Sequence, residues 1–462
     1  MTIHIYWESL QTKEQIVSVT VIKNAEKIII SLDPPVVQDG VDIVVTDDVV
    51  TAIGLNAGDK VSADKIIDAS GCIVHPGLVC SHHHYYSGLS RGITADIGPA
   101  PDFISTLQQL WWRIDRALDE ESVYYSSLIC SLDAVKAGTT SVIDHHSSPT
   151  YISGSLDAVK KGFIETGLRG MTCYEVTNRN NGDAEIKLGV EENIRFAKSI
   201  DSELASGSSS HLVEAAIGGH APFTISDAGL HLMAEAVKET GRGIHLHIAE
   251  DLYDVSVSHH QYQKDLVVRL NDFGLINDRS ILVHGLFLSN EDIEILNFQD
   301  GFLVHNARSN MNNNVGYNNM LPAIKNLALG TDGIGADMFE ELKFAYFKNR
   351  DAGGSFWPPE YLSALSRGNR ILERYFLGQF GTLAPGYKAD LVVSDYHSPT
   401  PFTNENLAGH FAFGLGSSSV KTVLINGKTV LENREFPFDV RQIYKDAAKH
   451  AEQVWKRMNS IK

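Results

Sequence analysis

A (β/α)8 barrel of the α/β class, carrying a small β-sandwich domain assembled from both ends of the chain, is the fold this sequence predicts. Two observations predict it. Residues 76–384 alternate short apolar runs with helical patterns eight times, the repeat of a parallel barrel. On either side lie β-branched runs cut by turn residues. The expected division is 1–75 and 385–462 for the sandwich, the second part ending in a helix, and 76–384 for the barrel.

The elements follow in order. Before the barrel, 19–22, 27–30 and 41–45 are short strands, separated by turns at Asp33-Pro34-Pro35, Asp39-Gly40 and Asp47-Asp48. After it, 389–393 and 420–430 have the same composition. The barrel strands are expected at 78–84, 140–146, 168–175, 212–220, 243–250, 280–285, 301–305 and 327–331. Between them helices announce their ends. Asp119 is an N-cap followed by Glu120 and Glu121, with Gly138 as a stop. Leu230, Met233, Ala234 and Val237 form an apolar stripe after Ser226, and Gly241 ends it. A doubly wound sheet is the structural alternative, but no Gly-x-Gly-x-x-Gly follows an early strand.

Composition narrows the class of partner. The 462 residues carry a net charge of −18, so no basic surface is offered to nucleic acid or anionic membrane. The cysteines Cys72, Cys80, Cys130 and Cys173 are scattered, as in a reducing cytoplasm. The first residues lack the pattern of a signal peptide, and no apolar run approaches the ~18 residues of a membrane span. A soluble cytoplasmic protein is expected, a homo-oligomer (dimer or larger) acting on a small molecule.

The chemistry collects at the strand ends, where a barrel keeps its active site. In Leu78-Val79-Cys80-Ser81-His82-His83-His84, alternate residues share a face, so His82 and His84 point together and His83 points away. Two such imidazoles are half of a divalent-metal site. Strand 5 adds His245, His247 and Glu250, strand 4 His220, strand 6 His284 and strand 8 Asp332. His245 lies one layer below His247, where packing, or support of a ligand from beneath, is its expected role. His145 shares the inward face of its strand, while His146 faces the helices. Arg91, His145, His220, Arg308 and Asn310 are candidate substrate contacts, and Trp111 and Trp112 a candidate lid that stacks on a planar ring.

Pro76-Gly77 before His82-x-His84, then His247, His284 and Asp332, resembles the amidohydrolase superfamily. His247-x-x-Glu250, His220-Ala-Pro and Gly138-Thr139-Thr140 resemble its deaminase and chlorohydrolase branch. Val79-Cys80-Ser81-His82, Ile143-Asp144-His145-His146 and the runs 304–313 and 333–341 are similar to aminohydrolases associated with selenium metabolism, the SsnA type. The likeness covers nearly the whole chain after about residue 18 and leaves the first 17 residues as an extension. Ala307 departs from the wider branch, where proline commonly follows the strand-7 histidine.

The resemblance implies that His82, His84, His247 and Asp332 hold one divalent ion, zinc in the first place or iron. It implies that Asp332 also accepts a proton, that His284 meets the attacking oxygen, and that Glu250 shuttles a proton to the departing amine. No lysine ends strand 4, but Glu175 ends strand 3, which leaves a second, bridged ion open. The expected function is release of ammonia from a C=N carbon of a purine, pyrimidine or triazine-like ring. Ring-opening of a cyclic amide is the alternative reaction, and a non-catalytic scaffold the alternative class.

Overall fold

The computed structural model of the chain describes residues 17–207 and 210–461, so the expected extension lies outside the described residues except for Val17. Both ends of the chain contribute to a pair of sheets. Val19–Lys23, Asp42–Thr46, Val49–Gly54 and Lys65–Asp68 form one of four strands. The other has six, in the order Lys428–Leu431, Val420–Ile425, Leu391–Ser394, Ile73–Pro76, Lys27–Leu32 and Pro35–Asp39. Alternation puts Ile22, Ile43 and Val45 of the first sheet against Ile28, Val74, Leu391 and Leu424 of the second in a shared apolar cluster. Pro35 opens a strand where the sequence predicts a turn. That strand is the edge of its sheet, the one place where a missing N–H costs no ladder bond.

Gly77 marks the passage from this sheet to the barrel. A Cβ there would lie 2.0 Å from Thr140 Oγ1, so only glycine lets the first barrel strand start against its neighbour. All eight predicted strands form: Leu78–His83, Thr139–Asp144, Arg169–Thr172, the split pair Val213–Ala215 and Ile217–Gly219, Ile244–Ile248, Ile281–His284, Phe302–His305 and Leu327–Leu329. Each pairs parallel with the next. The fold is thus a (β/α)8 barrel, but its ladder is not one closed sheet. A four-stranded and a five-stranded sheet meet at two seams, bridged singly at Val176–Gly219 and His83–Asp332. Strand 4 breaks at Ala216, and strand 8 has only three residues before the chain turns at Gly330. The second seam therefore runs through the proposed site.

The helices end as the sequence dictates. Asp119 and Ser122 form a capping box on Glu120–Lys136, Gly138 takes φ 77° beyond it, and Gly241 closes Asp227–Thr240 at φ 68°. Between the first strand and the first barrel helix the chain makes a long excursion through Tyr85–Ser90, Phe103–Thr106, Leu107–Trp111 and Trp112–Arg116. A last helix, Val440–Ser460, buries Ile443, Ala447, Ala451, Val454 and Met458 along one stripe. All four cysteines are buried and unpaired. No described helix is long and apolar enough to cross a membrane.

Candidate active site

Strand geometry delivers the expected cluster. His82, His247, His284 and Asp332 place ligand atoms within 4.8 Å of one another, all buried. His84 Nε2 joins them, 2.8 Å from Asp332 Oδ1 and 3.0 Å from His247 Nε2. Three strand ends adopt left-handed backbone to aim these groups, at Ala249 (φ 47°), His284 (φ 73°) and Asp332 (φ 53°). Such conformations cost on the order of 1–3 kcal/mol each and gather at functional sites.

Hydrogen bonds fix the proton positions. His84 Nδ1–H donates to His145 O (2.7 Å) and His247 Nδ1–H to His220 O (2.8 Å). The Nε2 atoms of both rings therefore face each other at 3.0 Å, where a proton or a cation must stand between them. His82 Nδ1 lies 2.9 Å from His245 Nε2, and His245 Nδ1 lies 3.7 Å from Cys173 Sγ. If His82 donates, its Nε2 is also free for the centre, and His245 serves beneath it as the sequence predicts. His284 Nε2 is buried without a hydrogen-bond partner. Three histidines and a carboxylate with free donor atoms fit one divalent ion with an open position.

The electrostatics agree. Burial pulls His84 down, but the Asp332 and Glu175 carboxylates overcome it and carry the imidazole up to about 9. Against the upward pull of burial, His84 and the bonds from His82 and His84 hold Asp332 well below the usual carboxylate range. Glu250 goes the other way: burial, with the Asp332 charge nearby, pushes its carboxyl well above the ordinary value. Its Oε2 sits 3.5 Å from His284 Nε2, and Asn313 Nδ2 donates to its Oε1 at 3.3 Å.

A cavity opens over the cluster. His84, His247, Glu250 and Asp332 form its floor, and Phe103, Trp111, Trp112, His220 and Phe223 are among its walls. Trp111 and His220 thus stand where the sequence places substrate contacts. Four other candidates do not. Arg91 lies largely exposed and pairs with Asp133 at 2.5 Å, because the chain turns outward at Gly92. Asn310 is buried below the cavity, its Oδ1 accepting from His284 Nδ1–H at 2.8 Å, so it holds a ring. His145 is fully buried behind the cluster, with Nε2 bonded to His245 O and Nδ1 3.2 Å from Glu175. Arg308 likewise spends its guanidinium on Glu340 and Glu341. His83 points away, its Nδ1 3.0 Å from Thr331 Oγ1.

The sequence reading missed a buried charge network in the cavity wall. Arg179 pairs with Asp115 at 2.7 Å, approaches Glu175 at 3.9 Å and lies over the Trp112 ring at 5.1 Å. Arg179 four residues after Glu175 was the only local hint, and Asp115 comes from a distant segment. Glu175 also joins His84, His145 and His247 in a second buried group whose ligand atoms lie within 4.8 Å of one another, so the residues for a second, bridged ion are present.

The amidohydrolase family matches residues 73–430, and the chain belongs to that family. A 5'-deoxyadenosine deaminase from Methanosarcina mazei is 30% identical over 454 residues, covering 95% of this chain and 99% of its own. A 5-methylthioadenosine/S-adenosylhomocysteine deaminase from Thermoanaerobacter pseudethanolicus is 29% identical over 446 residues, covering 94% and 99%. Among solved structures, a zinc-bound adenosine deaminase from Xanthomonas campestris superposes with a TM-score of 0.80 at 24% identity, covering 96% and 99% of the two chains. The zinc complex of atrazine chlorohydrolase from Arthrobacter aurescens gives 0.79 at 20%, covering 94% and 100%. The protein is a hydrolase of non-peptide carbon–nitrogen bonds, and its reaction class is the deamination of nitrogen heterocycles.

Proposed function

We propose that the protein deaminates an aminopurine ring, with nucleosides of the adenosine type as its first candidates. The observation that carries the reaction is Glu250, a buried carboxyl with a raised pKa, opening on the same cavity as the His and Asp cluster. The purine assignment is supported by the two full-length relatives that act on adenosine derivatives.

His82, His84, His247 and Asp332 hold one divalent ion, and zinc is the ion we propose. When bound, it supplies the Lewis acidity that makes hydroxide available near neutral pH. The residues do the rest. Asp332, ionised at neutral pH, accepts the proton of the attacking water. His284, its Nδ1–H spent on Asn310, keeps Nε2 toward the reacting carbon and steadies the incoming oxygen. Glu250 enters protonated and gives its proton to the ring nitrogen beside that carbon; it then takes the proton of the added hydroxyl, passes it to the amine, which leaves as ammonia, and regains its own from Asp332, which carried the first proton of the water. Ring-opening of a cyclic amide has no use for that second carboxyl. Trp111 and Trp112 flank the flat ring and keep bulk water out.

The two terminal sheets act as a small sandwich domain beside the barrel. The setting is cytoplasmic, as four buried free thiols suit a reducing compartment. Phe347 and Phe413, exposed with centroids 6.1 Å apart, support a homo-oligomer, which the mass in solution tests.

The assay is ammonia release from adenosine and 5'-deoxyadenosine, set against cytosine and aminotriazines, with Glu250→Gln as control. Purine turnover that Glu250→Gln lowers by roughly 10²–10⁴-fold in kcat, with metal retained, is expected. Turnover confined to pyrimidines or triazines overturns the purine assignment.

A further inference from the structure

The aromatic wall of the cavity is not part of the barrel. Phe103, Trp111 and Trp112 all lie on the excursion between the first strand and the first barrel helix. Toward the barrel, that excursion rests on side chains. Phe103 and Leu107 pack with Leu286, Val315 and Phe287. On its other side it is stapled, at its start, middle and end, to the last helix.

Each staple is a hydrogen bond to backbone or from it. Trp455 Nε1–H donates to Leu89 O at 3.0 Å. Asp96 N–H donates to Asn459 Oδ1 at 2.9 Å. Arg457 Nε–H donates to Ala117 O at 2.5 Å, and its NH1 pairs with Asp119 at 3.0 Å. In the middle, Arg113 is only 7% exposed and spans three chain segments. Its NH1 donates to Asp96 O (2.7 Å) and Gln109 O (3.2 Å), and its NH2 to Met458 O (2.8 Å).

Arg113 directly follows Trp112, and its Gln109 bond ties the turn that carries Trp111. That turn, Leu107–Trp111, is wound as a π-helix, looser than the α-helix on either side and more dependent on outside partners. The Trp111 ring reaches Gly333, where a Cβ would lie 3.8 Å from it, and Gly333 follows Asp332. A shift of this segment therefore moves the indole relative to the metal-side groups, while those groups stay on their strands.

We infer that Arg113 and Trp455 are positioning residues for substrate binding: through them the last helix, which contributes no residue to the cavity lining, sets the place of the Trp111–Trp112 wall. The inference rests on the proposal that this wall touches substrate. Binding and chemistry separate as a result. Loosening a staple weakens the hold on the ring but leaves Asp332, Glu250 and the metal ligands where they are.

The experiment is steady-state kinetics on metal-loaded full-length protein, with metal content and Tm measured in parallel. The variants are Trp455→Phe, which removes one hydrogen bond and keeps the ring, and Arg113→Lys, which keeps the charge but not the three-way reach. KM should rise roughly three- to tenfold in each, with kcat and metal content within about twofold of wild type. In a Trp111→Ala background the same changes should move KM by less than about half as much on a logarithmic scale, because the wall they place is gone. If Arg113→Lys fails to fold, Trp455→Phe decides alone. A lowered Tm with unchanged KM, or staple effects that add in full to Trp111→Ala, makes the staples merely structural and overturns the inference. Trp111→Ala and Trp112→Ala enzymes that both keep wild-type KM would instead remove the substrate-contact reading on which it rests.

Discussion

The floor and the aromatic wall of the cavity are held in different ways. The groups of the floor leave the ends of barrel strands, are buried or nearly so, and are tied by a second nitrogen or oxygen to backbone, to a neighbouring ring, or to the side chains of Asn313 and Ser309. The wall hangs on an excursion of short helical turns, half-buried, and reaches the barrel through apolar side chains and through Asp115, bonded to Arg179 and Ser147. Hydrogen-bonded strand ends cannot drift without breaking ladders, so they suit chemistry that needs fixed geometry. Loops over a scaffold can be re-spaced at little cost, so they suit the choice of substrate. Of these two parts of the cavity, the left-handed non-glycine backbone lies on the strand-end side, at His284, Asp332 and Ala249, where the surrounding structure can hold it.

The largest effect should come from breaking the floor. Asp332→Asn removes both a ligand and a proton acceptor, so kcat should fall by roughly 10⁴-fold or more and metal content should fall with it. Full metal occupancy in that variant would show that the histidines alone define the site. Glu250→Gln should cost roughly 10²–10⁴-fold in kcat at unchanged metal content, separating proton transfer from metal binding within the floor.

The aromatic wall should answer in KM. Trp111→Ala and Trp112→Ala should each raise it by roughly three- to thirtyfold, the scale of a lost aromatic contact, with metal content unchanged. An equal fall in kcat would mean that this wall also orients the reacting carbon, and the division would blur.

The smallest effect is on stability. Burial pushes Asp254, whose carboxylate accepts the Ala249 N–H behind Glu250, up to about 7. Below the ordinary carboxylate pKa both folded and unfolded chains carry this proton, and its contribution is complete. As pH rises toward 7 the unfolded chain releases it first, so stability is lost across that window. Asp254→Asn should flatten the loss, by up to about 4 kcal/mol between pH 4 and 7 in denaturant titrations. Asp144, also pushed up to about 7, keeps part of the slope in place. An unchanged slope in the variant would mean that the support beneath the floor is ionised.

The sequence by itself determined the eight strands, their helix caps and the cluster of ionisable groups at the strand ends. Strand alternation and strand-end position are local properties, so the gathering of His82, His84, His247, His284, Glu250 and Asp332 at one end of the barrel could be read from the chain, and the resemblance to the amidohydrolases suggested their roles. What passes between distant segments was decided only by the tertiary structure. Arg91 and Asn310 have the right chemistry for substrate contacts, but one turns outward to Asp133 and the other is taken by His284. The Arg179–Asp115 pair and the Arg113–Met458 staple join residues 64 and 345 positions apart. No periodicity records such pairings, because a hydrogen bond between distant segments depends on where packing brings them and leaves no repeat in the chain.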